Sequence, residues 1–201
     1  MFKDEFFPSI RATLVTLLLT GLAYPLAVTG VALILLPNRA RGSLVADEQG
    51  RVVGSELIAQ PFAGGGYLQP RPSAAGEKGY DATSSGGSNL GATSKSLRER
   101  VEKEVRRLQQ ENGEARGPVP MELVTTSGSG LDPHLSPAAA LWQAARIARA
   151  RGVSPERVRA VIDANVEGRD LLVLGEPRVN VLLVNLALDR QFGRPPPLAG
   201  R

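Results

Sequence analysis

The sequence predicts an α/β protein: one N-terminal transmembrane helix followed by a single α/β domain with a small sheet and about four helices. Three observations predict it. Residues 12–36, ATLVTLLLTGLAYPLAVTGVALILL, carry no charge. Segments opening at Ser96, Ser136 and Ser154 each join a capping residue to apolar positions at helical spacing. Short β-branched runs lie between turns rich in Gly, Pro and Asp.

The uncharged stretch comes first. Its 25 residues span roughly 37 Å at about 1.5 Å per residue, more than the roughly 30 Å of a bilayer's hydrocarbon core. A cleaved signal peptide would have an apolar stretch of about 7–15 residues and a small-residue cleavage site, which LILLPNRARGS does not supply. A soluble helix would keep a polar stripe for water, and this one has none. Pro25 removes a backbone donor in mid-helix, predicting a kink unless Thr20, Thr29 or a neighbouring helix compensates. Gly21, Pro25, Ala27 and Gly30 form small surface that a partner helix could approach. Lys3 and Arg11 precede the segment and Arg39, Arg41 and Arg51 follow it, so the positive-inside rule nearly cancels.

The net charge of +4 divides evenly between residues 1–41 and the remainder. The domain proper is therefore nearly balanced and has no electrostatic reason to bind nucleic acid. The absence of cysteine excludes disulfides, thiolate catalysis and cysteine-based zinc sites. A single histidine, His134, excludes sites that need two imidazoles.

Residues 42–60 read as a strand and hairpin between Leu44 and Ile58. Residues 61–95, with GGG at 64–66 and SSGGSN at 84–89, form a long loop, pinned to the domain by Phe62, Tyr67, Tyr80 and Leu90. Ser96 and Glu99 make a capping box for a helix whose apolar face is Leu97, Val101, Val105 and Leu108, closed by Gly113. Glu102 and Arg106 are spaced for an ion pair on its solvated face. VPMELVTT at 119–126 reads as a strand and SGSGLDPH as a turn. Ser136-Pro137 starts a helix with a Leu141, Ala144, Ala145, Ala148 stripe ending at Gly152, and Ser154-Pro155 starts another directly after it. LLVL at 171–174 reads as a short strand, and VNVLLVNLALDRQF as the last helix before the Pro-rich tail RPPPLAGR.

Candidate sites are few. TSGSGLDP holds Ser127, Gly128, Ser129, Gly130 and Asp132 in an arrangement that could cradle a phosphate, although the Walker lysine and Ser/Thr are missing. The competing reading is a structural turn from strand to helix. Ser127 or Ser129 beside Asp132 and His134 supplies the residue types of a hydrolytic triad without the separated elements that build one. Arg71, held between Pro70 and Pro72, is placed either to clamp a carboxylate or to lie free on the surface. Asn180 and Asn185 flank the apolar start of the last helix, one to cap it and one to satisfy a buried backbone group, or both as ligands. Asn89, Asp132 and Asn185 together suit either a cation or the fastening of loops. No metal or cofactor is assigned.

Taken in order, the apolar anchor, VVGSELIAQPF, GYLQPRPSA, GGSNLGATS, VTTSGSGLDPHLSPAAA, ARIARARGV and GEPRVNVLLVNLALD resemble the C subunit of the bacterial Kdp potassium-transporting ATPase. The likeness runs from the anchor to about Asp189. It implies a non-catalytic accessory subunit with no hydrolytic site, needed for assembly and acting as a catalytic chaperone that raises the pump subunit's affinity for ATP. Its implied partners are a channel-like potassium-binding subunit, a P-type ATPase subunit, a very small membrane subunit and membrane lipid, with ATP and potassium handled by the complex. The implied layout is a cytoplasmic N-terminus at 1–11, a transmembrane helix at 12–36 in the bacterial inner membrane, and an extracytoplasmic α/β domain at 37–201. A membrane-tethered ATP-binding regulatory domain, with TSGSGLDP as its loop, is the alternative.

Overall fold

The computed structural model describes residues 2–47 and 49–195; the end of the Pro-rich tail, from position 196, lies outside them. The chain divides into two compact units, residues 1–44 and 45–201.

The first unit is a rod. Helix α1 (Phe2–Leu18) passes through a π-helical turn (Leu19–Ala23) into α2 (Tyr24–Leu35), and a short α3 (Pro37–Ala40) follows. From Glu5 to Leu35 it is long and apolar enough to cross a membrane, and its leucines and valines point outward on every side. The accommodation of Pro25 is the π-turn itself. A proline in mid-helix lacks an N–H and crowds the carbonyl four residues back, here Gly21. Widening the preceding turn, so that the Tyr24 N–H bonds the Leu19 carbonyl, relieves that crowding. The Thr20 hydroxyl also donates to the Thr16 carbonyl at 2.8 Å.

The second unit holds the core. Strands β1 (Leu44–Ala46) and β2 (Val52–Ser55) pair across the expected hairpin. The loop then runs without helix or strand to α4 (Lys95–Glu111). This helix starts two residues earlier than the capping box predicts: Ser94 is the cap, accepting from the Leu97 N–H, and Ser96 lies exposed in the first turn. The apolar face is as expected, with Leu108 buried and Val101 and Val105 packed on the core. The Glu102–Arg106 pair forms at 3.3 Å.

The predicted strand at 119–126 is absent. Pro118 and Pro120 deny a ladder two donors, and residues Met121–Leu123 close into a 3-10 turn instead. Its carboxylate, Glu122, accepts hydrogen bonds from the backbone N–H and hydroxyl of Ser136. Ser136 in turn caps α5 (Pro137–Trp142), which breaks at Gln143 before α6 (Ala144–Arg151) ends on Gly152 at φ +65°. Helix α7 (Pro155–Ala164) packs back on α6 as the expected elbow, and α8 (Val181–Phe192) is the last helix.

A three-stranded antiparallel sheet joins these helices in the order β3 (His134–Leu135), β5 (Arg178–Asn180), β4 (Val166–Glu167). Leu135 and Val166 both face Val179 of the central strand, which is fully buried. LLVL is not a strand of it. Residues 171–174 form the exposed tip of the β4–β5 hairpin, closed by a lone bridge between Asp170 and Leu174. Leu68, Leu135, Ile147, Val158, Ile162, Val179, Val184 and Leu188 are the largest fully buried apolar side chains among the described residues.

Candidate functional site

The buried polar chemistry of the domain gathers around one stretch of backbone, residues 65–73. Leu68 is completely buried although it belongs to a loop, so its peptide groups need partners there. Asn185, on the buried face of α8, supplies both. Its Oδ1 accepts from the Leu68 N–H at 2.7 Å and its Nδ2 donates to the Leu68 carbonyl at 2.9 Å. Gln143, at the break between α5 and α6, does the same for the next residue: its Oε1 accepts from the Gln69 N–H and its Nε2 donates to the Gln69 carbonyl, both at 3.0 Å. Two amide side chains thus treat consecutive loop residues as a sheet strand would.

Two arginines of α6 complete the grip. Arg146 is buried and donates to the carbonyls of Gly65 at 2.7 Å and Tyr67 at 3.1 Å, to Asn112 Oδ1 at 3.0 Å and to Gln143 Oε1 at 2.7 Å. Burial brings its guanidinium down to about 10, because desolvation penalises the charge by more than the nearby Glu111 favours it. Arg151 donates to the Gly66 carbonyl at 2.6 Å and to Asp189 Oδ1 at 2.8 Å, and lies over the Tyr67 ring. None of the three side chains, Gln143, Arg146 and Arg151, stands out in the sequence reading. Their signal is positional: they recur on the face of the same helical segment as Ile147, where a solvated helix would show only apolar residues.

Further along the loop, Arg71 does have a carboxylate. Its Nη1 donates to Asp132 Oδ2 at 3.2 Å, while Nη2 turns to the Thr126 carbonyl at 3.2 Å, so the contact is single and not a fork. Asp132 Oδ1 accepts from the His134 N–H at 3.0 Å. Burial alone would raise the Asp132 carboxyl; the hydrogen bonds from His134 and the charge of Arg71 outweigh it and hold the group below the ordinary carboxylate range. Tyr80 donates its hydroxyl to the Arg71 carbonyl at 2.8 Å, and burial pushes that phenol up to about 12.

The TSGSGLDP segment locks onto the far end of the same loop. The Ser129 carbonyl accepts from the Gly86 N–H at 2.8 Å and the Ser85 hydroxyl at 3.0 Å, and the Ser129 hydroxyl accepts from the Leu131 N–H. Gly130 takes φ +68°, and a Cβ there would lie 2.5 Å from the Gly86 carbonyl oxygen. Its glycine is required by a neighbouring backbone inside the chain. Ser127 and Gly128 belong to the same interlock, Gly87 passing against their carbonyls.

The remaining candidates separate. Asn180 caps α8 by accepting from the Leu183 N–H at 3.3 Å and donates to the Glu56 carbonyl at 2.9 Å. Asn89 is exposed at φ +50°, so Asn89, Asp132 and Asn185 serve three different places. Among the described residues no cluster of three His, Cys, Asp or Glu could hold a metal. Phe62, Tyr67 and Tyr80 are partly buried and pin the loop, but Leu90 is exposed and does not; Leu68 and Ala75 fill that role. In the rod, Gly30 faces open space and a Cβ at Gly21 would only touch Leu17.

Residues 6–190 match the profile of the KdpC family, described as the c chain of a K+-transporting ATPase. The chain belongs to the KdpC family. A potassium-transporting ATPase KdpC subunit of Myxococcus xanthus is 64% identical over 196 residues, covering 98% of this chain and 92% of the relative. That of Rhodospirillum rubrum is 54% identical, covering 87% and 90%, and that of Methylobacterium nodulans 52% identical, covering 93% and 97%. KdpC membership accounts for the expected order of motifs, and with the single apolar helix it marks a membrane-anchored subunit of a potassium-transporting ATPase.

Proposed function

We propose that this chain is a non-catalytic accessory subunit of an ATP-driven, high-affinity potassium uptake complex of the bacterial inner membrane. It holds its N-terminus in the cytoplasm and its domain outside, and it works by contact with the channel-like potassium-binding subunit, the P-type ATPase subunit and the small membrane subunit. The observation that carries the reading is the match to KdpC relatives over nearly the whole chain, anchor included. The use of the buried and half-buried polar side chains supports it. Asn185, Gln143, Arg146, Arg151, Arg71 and Asp132 are spent on fixing a loop of the same chain, which gives a rigid surface for partners.

On this reading, the anchor seats among the transmembrane helices of the complex and the domain stabilises the assembled state. A rise in the pump subunit's affinity for ATP is then a coupling free energy between distant sites, because a domain outside the membrane touches no cytoplasmic nucleotide. The test is co-purification from membranes of a tagged full-length chain expressed with its companions. We expect the other subunits to come with it, and a chain lacking residues 1–36 to bring none. Full assembly and transport with the truncated chain would overturn the role of the anchor. Saturable ATP binding by the chain alone, abolished by Gly128→Val and Gly130→Val, would instead favour a tethered nucleotide-binding regulator.

A further inference from the structure

The β4–β5 hairpin carries a tip for which the domain itself has no use. Leu171, Leu172, Val173 and Leu174 are 83%, 88%, 73% and 57% exposed. Single exposed leucines are ordinary on a protein surface, but four consecutive apolar side chains on one projection are not. The projection is braced. Asp170 and Leu174 exchange two backbone hydrogen bonds of 2.9 Å across its neck. Arg169 pairs with Glu176 at 2.8 Å, and Arg178 pairs with Glu167 at 2.9 Å and Asp170 at 3.3 Å. Below them β5 is fixed in the core through the buried Val179 and Asn180.

The backbone points the same way. Leu171 and Leu172 sit at φ +52° and +68°, the left-handed conformation that a tight hairpin turn imposes and that Gly or Asn adopts at less cost than leucine. Leucines kept at such a turn are unfavourable in water, and a partner that covers them would offset the cost of their hydration.

Two kinds of surface accept leucines, a bilayer and an apolar socket on a protein. Docking to anionic lipid needs unpaired basic residues beside the apolar tip, and interfacial insertion favours Trp and Tyr. Here both flanking arginines are held by carboxylates of the same hairpin, and the tip has no aromatic residue. A collar whose charges close on each other around an apolar centre matches a protein interface, with its apolar core and satisfied polar rim. We infer that residues 171–174 are a plug that seats in an apolar socket on another subunit of the membrane complex. This rests on the accessory-subunit reading above.

The experiment uses the full-length chain co-expressed with its companions. Leu172 is replaced by the photoreactive p-benzoylphenylalanine, and separately the double variant Leu171→Asp, Leu172→Asp is made. Illumination is expected to give an adduct with one companion subunit. The double variant is expected to retain at least fivefold less of that companion after detergent purification, with its own melting temperature unchanged, since the substituted side chains touch water in the free chain. Adducts with lipid alone, or a double variant that co-purifies as well as the parent, would overturn the plug and leave the accessory reading standing. A parent chain that brings down no companion at all would sink both.

Discussion

Replacing Asn185 by leucine gives the sharpest test of how the domain is held together. The two side chains share a branched shape and leucine is the larger, so the substitution removes two hydrogen bonds and opens no cavity, any overpacking adding to the loss. What remains is the Leu68 peptide, whose N–H and carbonyl lose their partners at 2.7 Å and 2.9 Å in a place closed to solvent: Leu68 is 0% exposed and Asn185 1%. An unsatisfied buried group costs about 1–3 kcal/mol, so two cost about 2–6 kcal/mol, a large share of a typical domain's total stability. At about 2–4 °C per kcal/mol for a domain of this size, the midpoint of the expected loss is roughly 8–16 °C in melting temperature. The assay is thermal unfolding of the detergent-solubilised full chain followed by fluorescence of Trp142, its one tryptophan. The exposed Gln110 of α4 provides the control: Gln110→Leu should shift the midpoint by less than about 2 °C. Limited proteolysis should show new cleavage between residues 65 and 73 in the Asn185 variant before it does elsewhere. A melting point for Asn185→Leu within about 2 °C of the parent would refute the argument, since it would mean that the loop does not depend on this amide.

Two further outcomes follow from the same kind of reasoning. Ser94→Ala should cost about 0.5–1 kcal/mol by loss of the helix cap, with Ser96→Ala near neutral; chemical denaturation of the two variants checks which serine opens α4, and equal losses would contradict the assignment. Asp132 has its carboxyl below the ordinary range, so the folded state binds fewer protons than the unfolded state near that range. Its contribution is present above the ordinary value of 3.8 and is lost as pH falls through the lower folded value. Asp132→Asn should therefore flatten the decline in melting temperature between about pH 5 and pH 3, and an unchanged acid limb would speak against the Arg71–Asp132–His134 arrangement.

Helices were legible wherever a cap and a stripe coincided. Ser136-Pro137 with Gly152, Ser154-Pro155, and Asn180 before VLLV each mark a boundary found in the structure, because caps act within three or four residues and need no distant partner. The sheet was not legible, because β3, β4 and β5 are two or three residues long and a period of two cannot show itself over such lengths. Strands were expected instead where apolar residues ran together, at 119–126 and 171–174. In the first, prolines and the Glu122–Ser136 contact decide the outcome; in the second, the side chains are on the surface, so apolar character there reflects no core at all. The site had a similar split. Asn180, Asn185, Arg71 and Asp132 stand out as polar residues in unusual surroundings, whereas Gln143, Arg146 and Arg151 show only as polar residues on the same face as Ile147, with nothing nearby in the chain to say what they bind. Their partners lie across long sequence separations, and no local pattern can announce a backbone carbonyl that the fold delivers from elsewhere.

The wide turn at Leu19–Ala23 changes how the rod can be gripped. One additional residue in a helical turn rotates everything beyond it by about 100°. Side chains between Ile10 and Leu18 that would line up with those between Leu26 and Leu35 on an uninterrupted helix are therefore offset around the axis. A straight neighbour cannot follow a single seam along the full length, so the two halves offer their grooves to different directions. An anchor built this way can wedge between two neighbours, one met at each leaflet, where a regular helix would lean on one.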